Sequence, residues 1–169
     1  NGIGIRSEKE FDIIKPEGVT RVAFFGDSFV HGSDVFLEDS LTYQLDEMLD
    51  DGEYEIMNFG VPGYGIDQAY LRWETQGKQY DPDIVIMGFQ AENCNRNLNV
   101  VSRFYFWQHA PGLTSFHYSK PRFIIKDNEL ELVNYPTIDD QGLLASLKDF
   151  DNSWLSRYEY FYNPNDYKN

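Results

Sequence analysis

Short apolar runs end in glycine at three places in the first ninety positions. Val22-Ala-Phe-Phe25 precedes Gly26, Tyr54 to Phe59 precedes Gly60, and Asp83-Ile-Val-Ile-Met87 precedes Gly88. Runs of this length, bounded by polar residues, predict buried strands of a parallel sheet. The segments between them have a different period. After Ser40, a favoured N-cap, Leu41, Leu45, Met48 and Leu49 recur at helical spacing with Asp46, Glu47 and Asp50 opposite, and Gly52 is the expected stop. Asp67 is the expected cap of a helix from Gln68 whose apolar face is Ala69, Tyr70 and Trp73, ending at Gly77. A helix from Ser28 should last about one turn before Gly32 and Ser33. Strand–helix–strand–helix–strand predicts right-handed crossovers and an α/β fold of three layers on a parallel sheet.

The flanks read differently. Residues 1–20 are polar with turn signals at Gly2, Gly4, Pro16 and Gly18, and predict a lead-in arm with a short strand near Phe11 to Ile14. After Phe89 the texture changes. Glu92 to Asn99 is asparagine-rich, Phe104 to Tyr118 is aromatic and irregular, and Arg122 to Val133 predicts a hairpin turning at Asp127-Asn128. Gln141 to Phe150 puts Leu143, Leu144, Leu147 and Phe150 on one helical face, and the tail from Trp154 to Tyr167 is rich in Tyr, Asn and Asp. The expected organisation is therefore arm 1–20, core 21–99, and a cap or insertion over 100–169.

Composition narrows the partners. The 169 residues carry 28 acidic and 14 basic side chains, a net charge of −14. Nucleic acids and anionic membranes both require a basic face, so neither is an expected partner. No apolar run approaches membrane-spanning length, and no signal peptide is visible in a chain that opens on Asn rather than Met, so the reading is soluble with compartment open. A single cysteine, Cys94, excludes an internal disulfide and is expected to be a buried thiol. His31, His109 and His117 match no zinc spacing, and no metal or cofactor is expected. Gly60, Gly63 and Gly65 stand in the wrong order for a dinucleotide loop, no nucleotide P-loop occurs, and Gly26-Asp-Ser-Phe-Val30 lacks the final glycine of a nucleophile elbow.

Ligands of open α/β sheets bind where strands end and helices begin. Three such ends supply Ser28, Gly63 in its glycine loop, and Asn93. Acyl transfer needs a nucleophile and donors aimed at a developing oxyanion, and a serine, a glycine N–H and an asparagine amide meet that need. A plain N-cap serine and a structural asparagine turn are the competing readings of the same residues. Aromatic residues at Phe104 to Trp107 and Trp154 to Tyr162 suit either sugar stacking or simple packing.

Three blocks resemble the SGNH, or GDSL-type, hydrolases: Phe25-Gly-Asp-Ser-Phe29, Asn58-Phe-Gly-Val-Pro-Gly-Tyr-Gly65, and Pro82 to Phe89 through Glu92-Asn93. The resemblance covers roughly residues 20 to 97. It implies a flavodoxin-like α/β/α fold and a serine esterase acting on an O-acyl group of a carbohydrate or small molecule. It makes Ser28 the nucleophile, with the Ser28 and Gly63 N–H groups and Asn93 as the oxyanion hole. Two departures stand out. Family members commonly read Asn-Asp where this chain reads Glu92-Asn93, and the Asp-x-x-His block that supplies the family's base is absent. The base is therefore left open: His31, three residues after Ser28, is a sequence-near candidate, with a solvent-facing or packed histidine as the competing reading. The chain is therefore expected to be the N-terminal part of the domain, inactive alone, with the edge of its third strand open or covered by another copy. A non-catalytic carbohydrate-binding domain and an acyltransferase are the alternatives on the same fold.

Overall fold

The computed structural model describes every residue except 1, 3, 50, 51, 110–118 and 167–169, and it does not describe the side chains of 106–109 and 166. The chain divides into two compact units, Asn1–Asn93 and Cys94–Asn169.

In the first unit, β1 (Thr20–Phe25) lies between β2 (Tyr54–Asn58) and β3 (Ile84–Met87), all parallel. A central strand buries both faces, so alternate residues of β1 enter two cores. Ala23 and Phe25 join Met57, Phe59, Ala69, Tyr80 and the arm residues Ile5 and Phe11 on one side. Val22 and Phe24 join Ile56 and Val30 on the other, with Leu45 and Leu49 packed against them. Helix α2 (Leu41–Met48) covers the second face and α3 (Ile66–Thr75) the first. This is the expected α/β/α arrangement on a parallel sheet. No helix among the described residues is long and apolar enough to cross a membrane.

Several local expectations need correction. The arm forms no strand at Phe11 to Ile14, because two of its carbonyls are taken by a side chain: Arg21 Nη1 donates to Ile13 O (3.1 Å) and Nη2 to Asp12 O, while Nη1 also reaches Tyr80 O (2.7 Å). Helix α2 stops at Met48, short of Gly52. Helix α3 begins at Ile66 with Gly65 as N-cap, because Gln68 Oε1 accepts from Gly65 N (3.3 Å), and Asp67 falls inside the first turn. Gly77 opens a 3-10 turn, Gly77–Tyr80, and a Cβ there would lie 2.3 Å from the Phe25 ring. The third strand is not buried. Ile84, Val85 and Ile86 are 47%, 41% and 38% exposed, since β3 pairs with β1 alone among the described strands. Its outer edge is unpaired among the described residues.

In the second unit, α4 (Ala91–Arg96) leads from the first, followed by α5 (Ser102–His109), the hairpin β4 (Arg122–Lys126) and β5 (Glu129–Val133), and α6 (Asp140–Lys148). The hairpin turns at Asp127-Asn128, with φ of 51° and 64°, the two positive values a two-residue type I′ turn requires. Phe104, Phe150 and Tyr162 form a mutual ring cluster with centroids 4.6–5.0 Å apart. Of Phe104 to Tyr118, expected to be irregular, residues 104–109 are helical, and 110–118 lie outside the described residues. On α6, Leu143 is buried while Leu144 is 55% exposed, so the buried face runs through 143, 147 and 150. Cys94 is exposed rather than buried, because α4 turns Asn93 and Arg96 inward and Cys94 out.

Candidate active site

Glycines bring strand ends and helix together. At Gly26 a Cβ would lie 2.5 Å from Val30 Cγ2, and at Gly88 2.2 Å from the same methyl. Val30, buried on α1 (Ser28–His31), therefore wedges between the ends of β1 and β3, which Gly88 N joins by donating to Phe25 O (2.7 Å). Overfilling this contact should cost about 1–3 kcal/mol in Gly88→Ala. Val30→Ala in the same chain should recover part of that loss in urea denaturation, and strictly additive losses would refute the contact.

Asp27, the N-cap of α1, organises the site. Its Oδ1 accepts from Phe29 N (2.9 Å), and its Oδ2 accepts from Gln90 Nε2 (2.7 Å) and Asn93 Nδ2 (2.9 Å). Asn93 Oδ1 accepts from Gln90 N (2.8 Å), and Asn93 Nδ2 also donates to Tyr64 O (3.3 Å). Asp27 and Asn93 are 3% and 2% exposed. One buried carboxylate thus links the segments after β1, β2 and β3. Asn93 is drawn into this network, and both its N–H groups are engaged there.

Ser28 is the first helical residue, half-buried, at the carboxyl end of the central strand. The capping bond belongs to Asp27, which displaces the reading of Ser28 as N-cap. Among the described residues the Ser28 hydroxyl makes no hydrogen bond. Gly63, with φ of 81°, is the third residue of a Val61–Tyr64 turn closed by Tyr64 N donating to Val61 O (3.2 Å). Pro62 before it and the positive φ define a type II turn. Val61 N donates to Gly26 O (3.0 Å), so the loop is fastened to the strand end that carries Ser28. The Gly63 N–H has no hydrogen-bond partner among the described residues. Asn58 braces the assembly from beneath: Nδ2 donates to Val30 O (2.9 Å) and Thr42 Oγ1 (2.8 Å), and Oδ1 accepts from Gly60 N (2.9 Å).

His31 is committed elsewhere. Its Nδ1 lies 3.0 Å from Arg6 Nη1 and 3.1 Å from Ser33 Oγ. A guanidinium only donates, so Nδ1 accepts and the proton sits on Nε2. Burial first, then the positive charges of Arg6 and Arg72, hold its pKa below the ordinary value. The lone pair a general base needs is occupied. His117 lies outside the described residues, as does the side chain of His109. No group of three His, Cys, Asp or Glu side chains among the described residues is placed to hold a metal.

Gln90, Asn58 and Arg6 were not legible in the sequence as parts of this site, and Asp27 showed there only as a helix start. An Asp next to a candidate nucleophile was the one available signal; Gln90 and Arg6 carried none.

No family model matches the chain, and no curated protein matches it. Two solved structures are similar. One is AlinE4, described as an SGNH-hydrolase family esterase, at 18% identity and a TM-score of 0.38 over 56% of each chain. The other is a mutant of the esterase AlinE4, at 17% identity and a TM-score of 0.38 over 57% of each chain. The chain thus spans a little over half the length of these structures.

Proposed function

We propose that this chain carries the nucleophile side of a serine esterase site of the SGNH type, acting on an O-acyl ester of a carbohydrate or small molecule. The observation that supports it is the Ser28 hydroxyl: at the end of the central strand, relieved of capping by Asp27, and unspent. In the reaction Ser28 Oγ attacks the acyl carbon and gives up its proton to a base. The carbonyl oxygen becomes an oxyanion facing the Ser28 and Gly63 N–H groups. Asn93 joins as third donor by releasing its longer bond, the 3.3 Å one to Tyr64 O, while Asp27 keeps the amide oriented. The alcohol leaves with a proton returned by the base, and water then releases the acyl group from Ser28.

His31 cannot be that base while Arg6 holds its Nδ1, which leaves the base of this reading to a group outside the described side chains, such as His109 or His117. The same observation favours the second reading, a carbohydrate-binding domain without catalysis. An acyltransferase would use the same serine with a sugar hydroxyl in place of water. The test is hydrolysis of a p-nitrophenyl ester by the protein beside its Ser28→Ala variant. An acyl adduct on Ser28 by mass spectrometry, with turnover lost in Ser28→Ala, supports the esterase. Equal rates in the two proteins and no adduct would leave the binding domain.

A further inference from the structure

We propose that Arg6, Arg72 and His31 form an anion site at the carboxyl end of β2, taking a carboxylate- or sulfate-type group carried by the substrate. The assignment to substrate rests on the esterase reading; the anion site itself does not.

Charge pairing singles these residues out. The first unit holds six basic side chains, Arg6, Lys9, Lys15, Arg21, Arg72 and Lys78. Four are paired with carboxylates: Lys9 with Asp46, Lys15 with Asp81 and Asp83, Arg21 with Glu55, and Lys78 with Glu74. Arg6 and Arg72 have no carboxylate partner among the described residues, in a chain with two acidic residues for each basic one. Arg6 donates to His31 Nδ1, Gly32 O (2.6 Å) and Val35 O (2.8 Å). Arg72 donates to Gln76 Oε1 (3.0 Å), Phe59 O (2.9 Å) and Gly4 O (2.8 Å), and stands over the Phe59 ring. Every one of these partners is neutral.

The two are also neighbours. Arg72 grips Gly4, two residues before Arg6, and Arg6 N donates to Asn58 O (3.0 Å), next to the Phe59 carbonyl that Arg72 binds. A Cβ on Gly60 would lie 2.4 Å from His31 N, so the imidazole's backbone abuts the same strand end. His31 feels both positive charges. Two guanidiniums beside one imidazole, neither in an ion pair with a carboxylate among the described residues, concentrate positive potential on a molecule that is otherwise strongly negative. Among the described residues each keeps two N–H groups without an acceptor. Arg6 retains Nε–H and one on Nη2; Arg72 retains one on each Nη. Planar forks of this kind suit the paired oxygens of a carboxylate or sulfate. A polyanion does not fit, since the net charge of −14 repels it beyond the local site. The loop from Gly60 to Gly65 begins at this point, which places a bound anion on the same rim as Ser28.

The experiment titrates 15N-labelled protein with sulfate against chloride at constant ionic strength, following the His31 imidazole and the arginine Nε resonances. Saturable shifts are expected at His31, Arg6 and Arg72, undiminished in Ser28→Ala. Arg6→Gln should weaken binding about tenfold, and Arg6→Lys, which keeps the charge on the arm, by less. Galacturonate should displace sulfate where galactose does not. Absence of saturable shifts in the unaltered protein overturns the site without reference to any variant, as does unchanged affinity in a folded Arg6→Gln protein. Sulfate binding without displacement by galacturonate overturns the substrate assignment. Loss of the esterase reading with sulfate binding intact would leave the anion site standing.

Discussion

Arg21→Met should lower the stability of the first unit by about 3–5 kcal/mol, a large share of the roughly 5–15 kcal/mol typical of a domain. Arg21 is fully buried at the start of the central strand. Its Nε pairs with Glu55, its register partner on β2, and its Nη groups satisfy the carbonyls of Asp12, Ile13 and Tyr80. Methionine fills much of the volume and none of the hydrogen bonds. Three carbonyls and a carboxylate lose their donor, and a buried polar group left unmade costs more than a made one contributes. The arm loses its fastening at the same time. Glu55→Gln should cost far less, because Glu55 is 23% exposed on its side chain and the guanidinium keeps its other acceptors. Urea midpoints at neutral pH with unchanged slope would measure both. A loss under about 1 kcal/mol for Arg21→Met would refute its role as the staple of arm, strand and turn.

Arg21 also marks where sequence reading stopped. The three strands were legible because each is a short apolar run closed by a glycine, and such runs have few alternatives. Helix α2 was legible from Ser40 and the leucine spacing, and the hairpin from Asp127-Asn128. The arm was not, because its order comes from a buried guanidinium reaching three carbonyls, a tertiary choice with no local period. The exposure of β3 was hidden for a related reason. Ile84 to Met87 reads as a central strand, and nothing in those residues says whether a further strand lies beside it. The site was half legible. Ser28, Gly63 and Asn93 were found as strand-end residues, and Asn93 does meet Asp27 in the network. The wiring of that network was not legible: the carboxylate of Asp27 as its hub, Gln90 as its second spoke, and Arg6 holding His31 from far earlier in the chain. Spacing along a chain cannot reveal pairs separated by 25 or 63 residues.

Glu159 should make the stability of the second unit depend on pH in a direction opposite to that of an ordinary paired carboxylate. Burial pushes its pKa up to about 7 from the usual 4.5, against the pull of three backbone N–H groups and the Lys120 charge. Its Oε2 accepts from Val100 N and Val101 N (2.9 Å each), and its Oε1 from Phe161 N (3.1 Å). The folded state therefore holds a proton that the unfolded chain releases earlier. Stability from this group is fully present below about 4.5, falls as the pH rises toward 7, and stays low above it. The gap between the two values corresponds to about 3 kcal/mol. The net charge of −14 adds a general self-repulsion with the same sign, so the unaltered protein alone does not isolate the effect. Glu159→Gln removes the titration and keeps an acceptor, and subtracting its urea stability from that of the unaltered protein cancels the background. That difference should favour the unaltered protein by about 3 kcal/mol more at acid pH than at about pH 8. Parallel pH profiles for the two proteins would show that Glu159 ionises as freely in the fold as out of it.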